Sequence, residues 1–136
     1  MLLVQLGPAH ARDDATLGRF LAAMPAWIPV AMEFRHPTWH VEDVFAILEH
    51  HGAAYCVMSG TQLPCVLRLT APFAYVRLHG DQELYVSGYS DEALDVWAAR
   101  VAAWRDEGRD VVVYFDNDVK VHAPYDAQRL AARLER

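Results

Sequence analysis

The sequence predicts an α/β domain built on about five parallel strands, and three observations carry that prediction. Short apolar runs alternate with longer amphipathic stretches along the chain. The strand-like runs are apolar on both faces, as in a parallel sheet covered by helices. No solenoid-spaced repeat, low-complexity tract or Pro/Ser linker interrupts them, so residues 1–136 read as one domain.

Leu2–Leu6, stopped by Gly7-Pro8, reads as the first strand. Asp13 or Asp14 caps a helix that lines up Leu17, Phe20, Leu21 and Met24 and closes at Pro25. Ile28–Phe34 is the second strand. Thr38 precedes a second helix through Val41, Val44, Phe45 and Leu48, and Gly52 stands where a left-handed C-terminal cap belongs. Ala53–Met58 is the third strand. Ser59–Pro72, with Gly60 and Pro64, shows no long period and reads as loop or short helix. Phe73–Leu78 is the fourth strand. Ser90 and the acidic turn Asp91-Glu92 open the longest helix, with Leu94, Trp97, Val101 and Trp104 inward and Gly108 at its end. Val111–Phe115 is the fifth strand, and Pro124 starts a last helix running to about Leu134.

Composition limits the function classes. Hydrophobic residues make up 54% and charged residues 22%, enough to bury a core and too apolar for disorder. Twelve Lys+Arg against eighteen Asp+Glu leave a net charge of -6, which disfavours a protein that grips nucleic-acid backbones. No apolar run reaches a membrane span and no signal-peptide pattern opens the chain, so the expectation is a soluble, cytoplasmic protein. Cys56 and Cys65 form no CxxC pair, and Cys56 sits in an apolar run as a small hydrophobe.

A strand buried on both faces should be nearly all apolar, so its polar exceptions carry information. The second strand ends in Glu33-Phe34-Arg35-His36, with Glu33 and Arg35 on one face. The fourth reads Tyr75-Val76-Arg77-Leu78-His79, with Tyr75, Arg77 and His79 on one face. Gln5 lies near the end of the first strand and Asp116-Asn117-Asp118 follows the fifth. Strand C-terminal ends are where open sheets and α/β barrels place their sites. Two arginines on such ends suit a phosphate or carboxylate, which their planar forks grip bidentately. Glu33 and His79 are the candidate general acid and base, and Gln5, Arg35, His36, Trp39, Arg77, Tyr89 and Asn117 the candidate ligand-binding residues. The competing reading makes Glu33 a structural partner of Arg35 or Arg77, and Trp39 a packing residue. His36, His79, Glu33, Asp116, Asp118 and His122 are metal-ligand types without a compact spacing such as HExxH, so no metal is assigned. GxGxxG, Walker A and GxSxG patterns are missing from the sequence, and no cofactor is expected.

Several of these stretches, in order, resemble the YecE-like family, TIM-barrel proteins named as a domain of unknown function. They are Val30–Trp39, Phe73–Gly80, Tyr85–Tyr89 ahead of the helix that carries Trp97, and Val111–Asp118 leading into His122-Ala123-Pro124. The resemblance implies that the chain is the C-terminal half of an eight-stranded barrel, a partial (β/α)8 fold with strands four to eight present. The family's Gly-Trp first strand and Glu-Ile-Asn-type second strand have no counterpart here. The chain departs from the family at Gly7, Asp116 and Asp126, where Pro, Asn and Asn are usual; an Asn-to-Asp change makes a group acceptor-only when ionised.

Three functional expectations follow. One is a strand-end pocket for a small anionic ligand, with acid/base chemistry by Glu33 or His79. Another is a non-catalytic partial barrel whose open edges associate with a second copy or with a complementary barrel segment. The third is a metal-dependent hydrolase.

Overall fold

The computed structural model describes residues 1–135. Its elements are β1 (Leu2–Leu6), α1 (Asp14–Ala23), β2 (Val30–Phe34), a 3-10 turn (Pro37–Trp39), α2 (Glu42–His50), β3 (Ala54–Ser59), β4 (Phe73–Leu78), α3 (Asp91–Asp106), β5 (Asp110–Phe115) and α4 (His122–Leu134). The strands are parallel and stand in sequence order, β1-β2-β3-β4-β5, in a five-stranded sheet that matches part of a TIM-barrel-like fold. Contacts divide the chain into two compact units. The first holds Met1–Val57 and Val66–Tyr75; the second holds Met58–Cys65 and the chain from Val76 onward.

In the first unit, the Asp13 side chain accepts the Thr16 N–H at 2.9 Å and the Thr16 hydroxyl at 2.8 Å, which starts α1. The β1–β2 register pairs Leu2 with Val30 and Gln5 with Glu33. β2 is buried throughout, charged Glu33 included. α2 begins at Glu42, not directly after Thr38. Pro37 fixes a short 3-10 turn first, and the His36 ring caps it by accepting the Thr38 N–H at 3.3 Å. Val41 then precedes α2 without a side-chain cap. Gly52 closes α2 at φ +64°, as its position predicts. The segment before β4 is loop, pinned by Thr70. Its hydroxyl donates to the Ala53 carbonyl at 2.7 Å and accepts the Tyr55 N–H at 2.7 Å.

In the second unit, Ser90 Oγ accepts the Ala93 N–H at 3.1 Å, and α3 buries Leu94, Trp97, Val101 and Trp104. Truncating either buried tryptophan to alanine removes packing worth about 3–5 kcal/mol. α4 starts two residues before Pro124. A proline is tolerated there because the N–H groups of a helix's first turn have no intrahelical acceptor. The turn into α4 sets Val121 at φ +60°, an uncommon left-handed conformation for a β-branched residue. Val111, Val113 and Phe115 of β5 line a cavity of about 400 Å³ with Val101 of α3 and Leu130 of α4. Strand alternation therefore turns Val112, Tyr114 and the following Asp116 to the face opposite these helices.

Candidate functional site

In the first unit, the helix-facing side of the sheet is marked by a cavity of about 350 Å³ that Val4, Leu6 and Met32 line with Leu17 and Phe20 of α1. Gln5 and Glu33, partners in the strand register, alternate onto the other face. Glu33 is fully buried, and Arg35 donates to its Oε1 from Nε at 2.7 Å. An uncompensated carboxylate would be far too costly at such a position, so the guanidinium is what makes the burial possible. Cys56 Sγ lies 3.9 Å from Glu33 Oε2, a thiol at the weak limit of hydrogen bonding.

His36 and Trp39 do not join this pair. The His36 ring is engaged at the 3-10 turn, with Nδ1 2.9 Å from Thr38 Oγ1. Trp39 is buried, stacks on Phe34 at 4.6 Å with an interplanar angle of 11°, and donates its indole N–H to the His10 carbonyl at 2.7 Å. The stacking and the indole bond fix Trp39 among apolar neighbours on the helix side, the packing role that the sequence also allows. It does wall the apolar cavity there. Tyr55, also buried, places its hydroxyl 2.8 Å from His40 Nδ1. Burial lowers the His40 pKa below the usual histidine value.

In the second unit, two candidates from β4 converge on one residue beyond β5. Arg77 donates to Asp116 Oδ2 at 2.5 Å, and His79 Nδ1 lies 3.0 Å from the same oxygen. Asp116 is held in place by its own N–H, which donates to the Leu78 carbonyl at 2.7 Å. The contact is one of charge and distance, and Asp116 is the acidic partner that Arg77 and His79 share. In sequence Asp116 is a polar residue after the fifth strand and a metal-ligand type; its part as the shared partner of Arg77 and His79 emerges from the fold.

Tyr89 and Asn117 belong to a separate network built on Asp126. Asp126 is 2% exposed; its Oδ2 accepts the Tyr89 N–H at 3.0 Å and Asn117 Nδ2 at 2.9 Å, while Oδ1 accepts from Arg129 at 2.7 Å. Asn117 Nδ2 also donates to the Ser87 carbonyl at 2.9 Å. The Tyr89 hydroxyl accepts the Gly80 N–H at 3.2 Å and donates to the Ser59 carbonyl at 3.4 Å. Burial pushes the Tyr89 phenol up to about 12. With these commitments Tyr89 and Asn117 fasten the loops after β4 and β5. Three donors converge on Asp126, and an ionised carboxylate suits them because it only accepts. Its spacing of three residues from Arg129 on α4 was the available sequence signal.

Among the described residues, no group of three or more His, Cys, Asp or Glu stands close enough to hold a metal ion. None of the described helices is long and apolar enough to cross a membrane.

Comparison with known proteins decides the family. The model of "Protein of unknown function DUF72" matches residues 1–136. The chain belongs to the DUF72 family. This is the YecE-like family that its strand-end motifs resemble. A crystal structure of a DUF72 family protein from Thermotoga maritima superposes with a TM-score of 0.89 at 25% identity, covering 98% of this chain and 57% of that one. Two crystal structures of a DUF72 family protein from Enterococcus faecalis superpose with TM-scores of 0.84 and 0.83 at 16% and 17% identity. Each covers 98% of this chain, and 58% and 60% of theirs. This DUF72 chain thus spans a little over half the length of these solved relatives. No curated protein matches it.

Proposed function

We propose that this DUF72 protein binds a small anionic ligand, a phosphate or a carboxylate, at strand-end arginines, with His79 as general acid or base. The observation that carries the reading is the convergence of Arg77 and His79 on Asp116. Arg77 offers the planar fork that suits an oxyanion, and Asp116 holds that guanidinium while standing 3.0 Å from His79 Nδ1. Arg35 with buried Glu33 is a comparable pair in the first unit, with Gln5 beside it and Glu33 as the candidate base there. Two free cysteines fit a reducing, cytoplasmic setting.

The test is thermal unfolding in phosphate or sulfate against chloride of equal ionic strength. A bound anion raises the melting temperature by mass action, with about 2.7 kcal/mol gained at a hundredfold excess over Kd. The expected result is a rise in the wild type that disappears in Arg77→Ala. No rise with any oxyanion, or an equal rise in Arg77→Ala, contradicts the reading.

A second reading is favoured by the ends of the strand order. β1 and β5 are edge strands, and they carry part-exposed apolar residues such as Leu2 and Tyr114, 37% and 52% exposed. In this reading the strands correspond to strands four to eight of an eight-stranded barrel, completed by a second copy or by a complementary segment. Light scattering on the purified chain separates the cases: a stable monomer at all concentrations counts against association.

A further inference from the structure

An acid/base role for His79 must reckon with its complete burial. The segment that leaves β4, Gly80–Tyr89, carries the tyrosine whose ring meets the imidazole. Gly80 begins it at φ +111°, where a Cβ would lie 2.5 Å from the Glu83 carbonyl oxygen, so the turn requires glycine. The Tyr85 N–H returns to the His79 carbonyl, and the Tyr85 ring stands edge-on to the imidazole at 5.4 Å and 88°. Tyr85 sits at φ +64°, a left-handed conformation that is uncommon for a residue other than glycine. The rest of the segment is tied down. Ser87 Oγ accepts the Gln82 and Glu83 N–H groups at 2.9 Å, and Thr61 Oγ1 donates to the Gln82 carbonyl at 2.7 Å. Tyr89 anchors the far end through its Gly80 and Ser59 bonds. The segment is therefore a strap with firm ends and one strained aromatic residue over the histidine.

We propose that this strap is a lid, and that Tyr85 controls access to the His79 imidazole. The proposal rests on the acid/base reading of His79 and adds the step that reading needs. Opening relaxes the left-handed backbone at Tyr85 and gives up the ring contact and the Tyr85 backbone bonds to the His79 carbonyl and the Val119 N–H, while the Gly80 turn and the Tyr89 anchor stay in place. Contacts with an entering ligand would then offset the lost ring contact.

Deuterium exchange at the imidazole Cε1–H tests this without any ligand. The folded full chain is incubated in heavy water above the histidine titration range, and each histidine is followed by peptide mass spectrometry. Exposed His10 and His50 serve as references. In the wild type His79 should exchange at least about tenfold more slowly than His10. In Tyr85→Gly, which suits the positive φ, it should come within about threefold of His10 while His10 and His50 stay unchanged. Thr61→Val, which cuts one tie of the strap, should raise the His79 rate part of the way, and it decides the matter if Tyr85→Gly unfolds and moves all histidines together. Exchange of His79 as fast as His10 in the wild type overturns the proposal. So does exchange as slow in the folded variants as in the wild type. Either result leaves the phosphate-dependent melting test of the anion reading untouched.

Discussion

Removing the Asp126 carboxylate should be among the most damaging single changes in the second unit, and the cost can be worked out from its partners. In Asp126→Ala the Tyr89 N–H loses the acceptor at 3.0 Å, and a buried donor without an acceptor costs about 1–3 kcal/mol. Asn117 Nδ2 retains the Ser87 carbonyl, so its loss is partial. Arg129 retains the Tyr89 carbonyl at 2.8 Å and Asp91 at 2.8 Å, and loses one charged bond on a partly exposed side chain, worth about 1 kcal/mol. The expected total is about 2–4 kcal/mol. Asp126→Asn keeps one acceptor oxygen but turns an NH₂ toward a donor, so it should fall between Asp126→Ala and the wild type. Urea unfolding read by tryptophan fluorescence measures this. With a slope of about 1–3 kcal/mol per molar, the midpoint should drop by about 1–2 M in Asp126→Ala. A loss below about 0.5 kcal/mol, the range of ordinary surface substitutions, would refute the network as a fastening for these loops.

Two further predictions concern pH. The Tyr89 phenol, pushed up to about 12, should ionise after the exposed tyrosines in an ultraviolet titration. Its folded pKa lies above the unfolded value near 10, so the associated stability is full below pH 10 and is lost as pH rises toward 12; about 2–3 kcal/mol is at stake. Tyr89→Phe should remove that part of the alkaline destabilisation. His40 has its pKa lowered by burial, so the unfolded chain takes up the proton first as pH falls. Its contribution is present above about pH 6.5 and is lost on acidification below that value; a His40 midpoint at or above 6.5 by proton NMR would contradict the prediction.

Much of the fold was legible because hydrophobic period and end signals agree. Asp13 and Ser90 accept the N–H groups expected of caps, and the apolar stripe of α3 is the buried one. Boundaries failed where a proline has two permitted positions: Pro37 opens a separate 3-10 turn ahead of α2, and Pro124 lies inside the first turn of α4. Alternation along β4 and one residue beyond it assigns Arg77 and His79 to one face, and both reach Asp116 Oδ2. Alternation beyond β5 gives the face of Asp116 but not its partners, and only the fold brings it to both. Tyr89 and Asn117 lie close to strand ends in sequence, yet they face Asp126, a partner on α4 that proximity along the chain does not reveal. The turn at Pro37 likewise carries the Trp39 ring back onto Phe34, a contact that spacing along the chain does not reveal.

The central claim, that Arg77 with His79 and Asp116 receives an oxyanion, is most directly tested by NMR. Side-chain nitrogen shifts of arginine and histidine are followed while inorganic phosphate is titrated at fixed ionic strength. The account predicts saturable shifts at Arg77 Nε and the His79 ring, and the loss of the His79 response in Arg77→Ala. Shifts that never saturate, or that are no larger at Arg77 than at the exposed arginines Arg19 and Arg105, would contradict it.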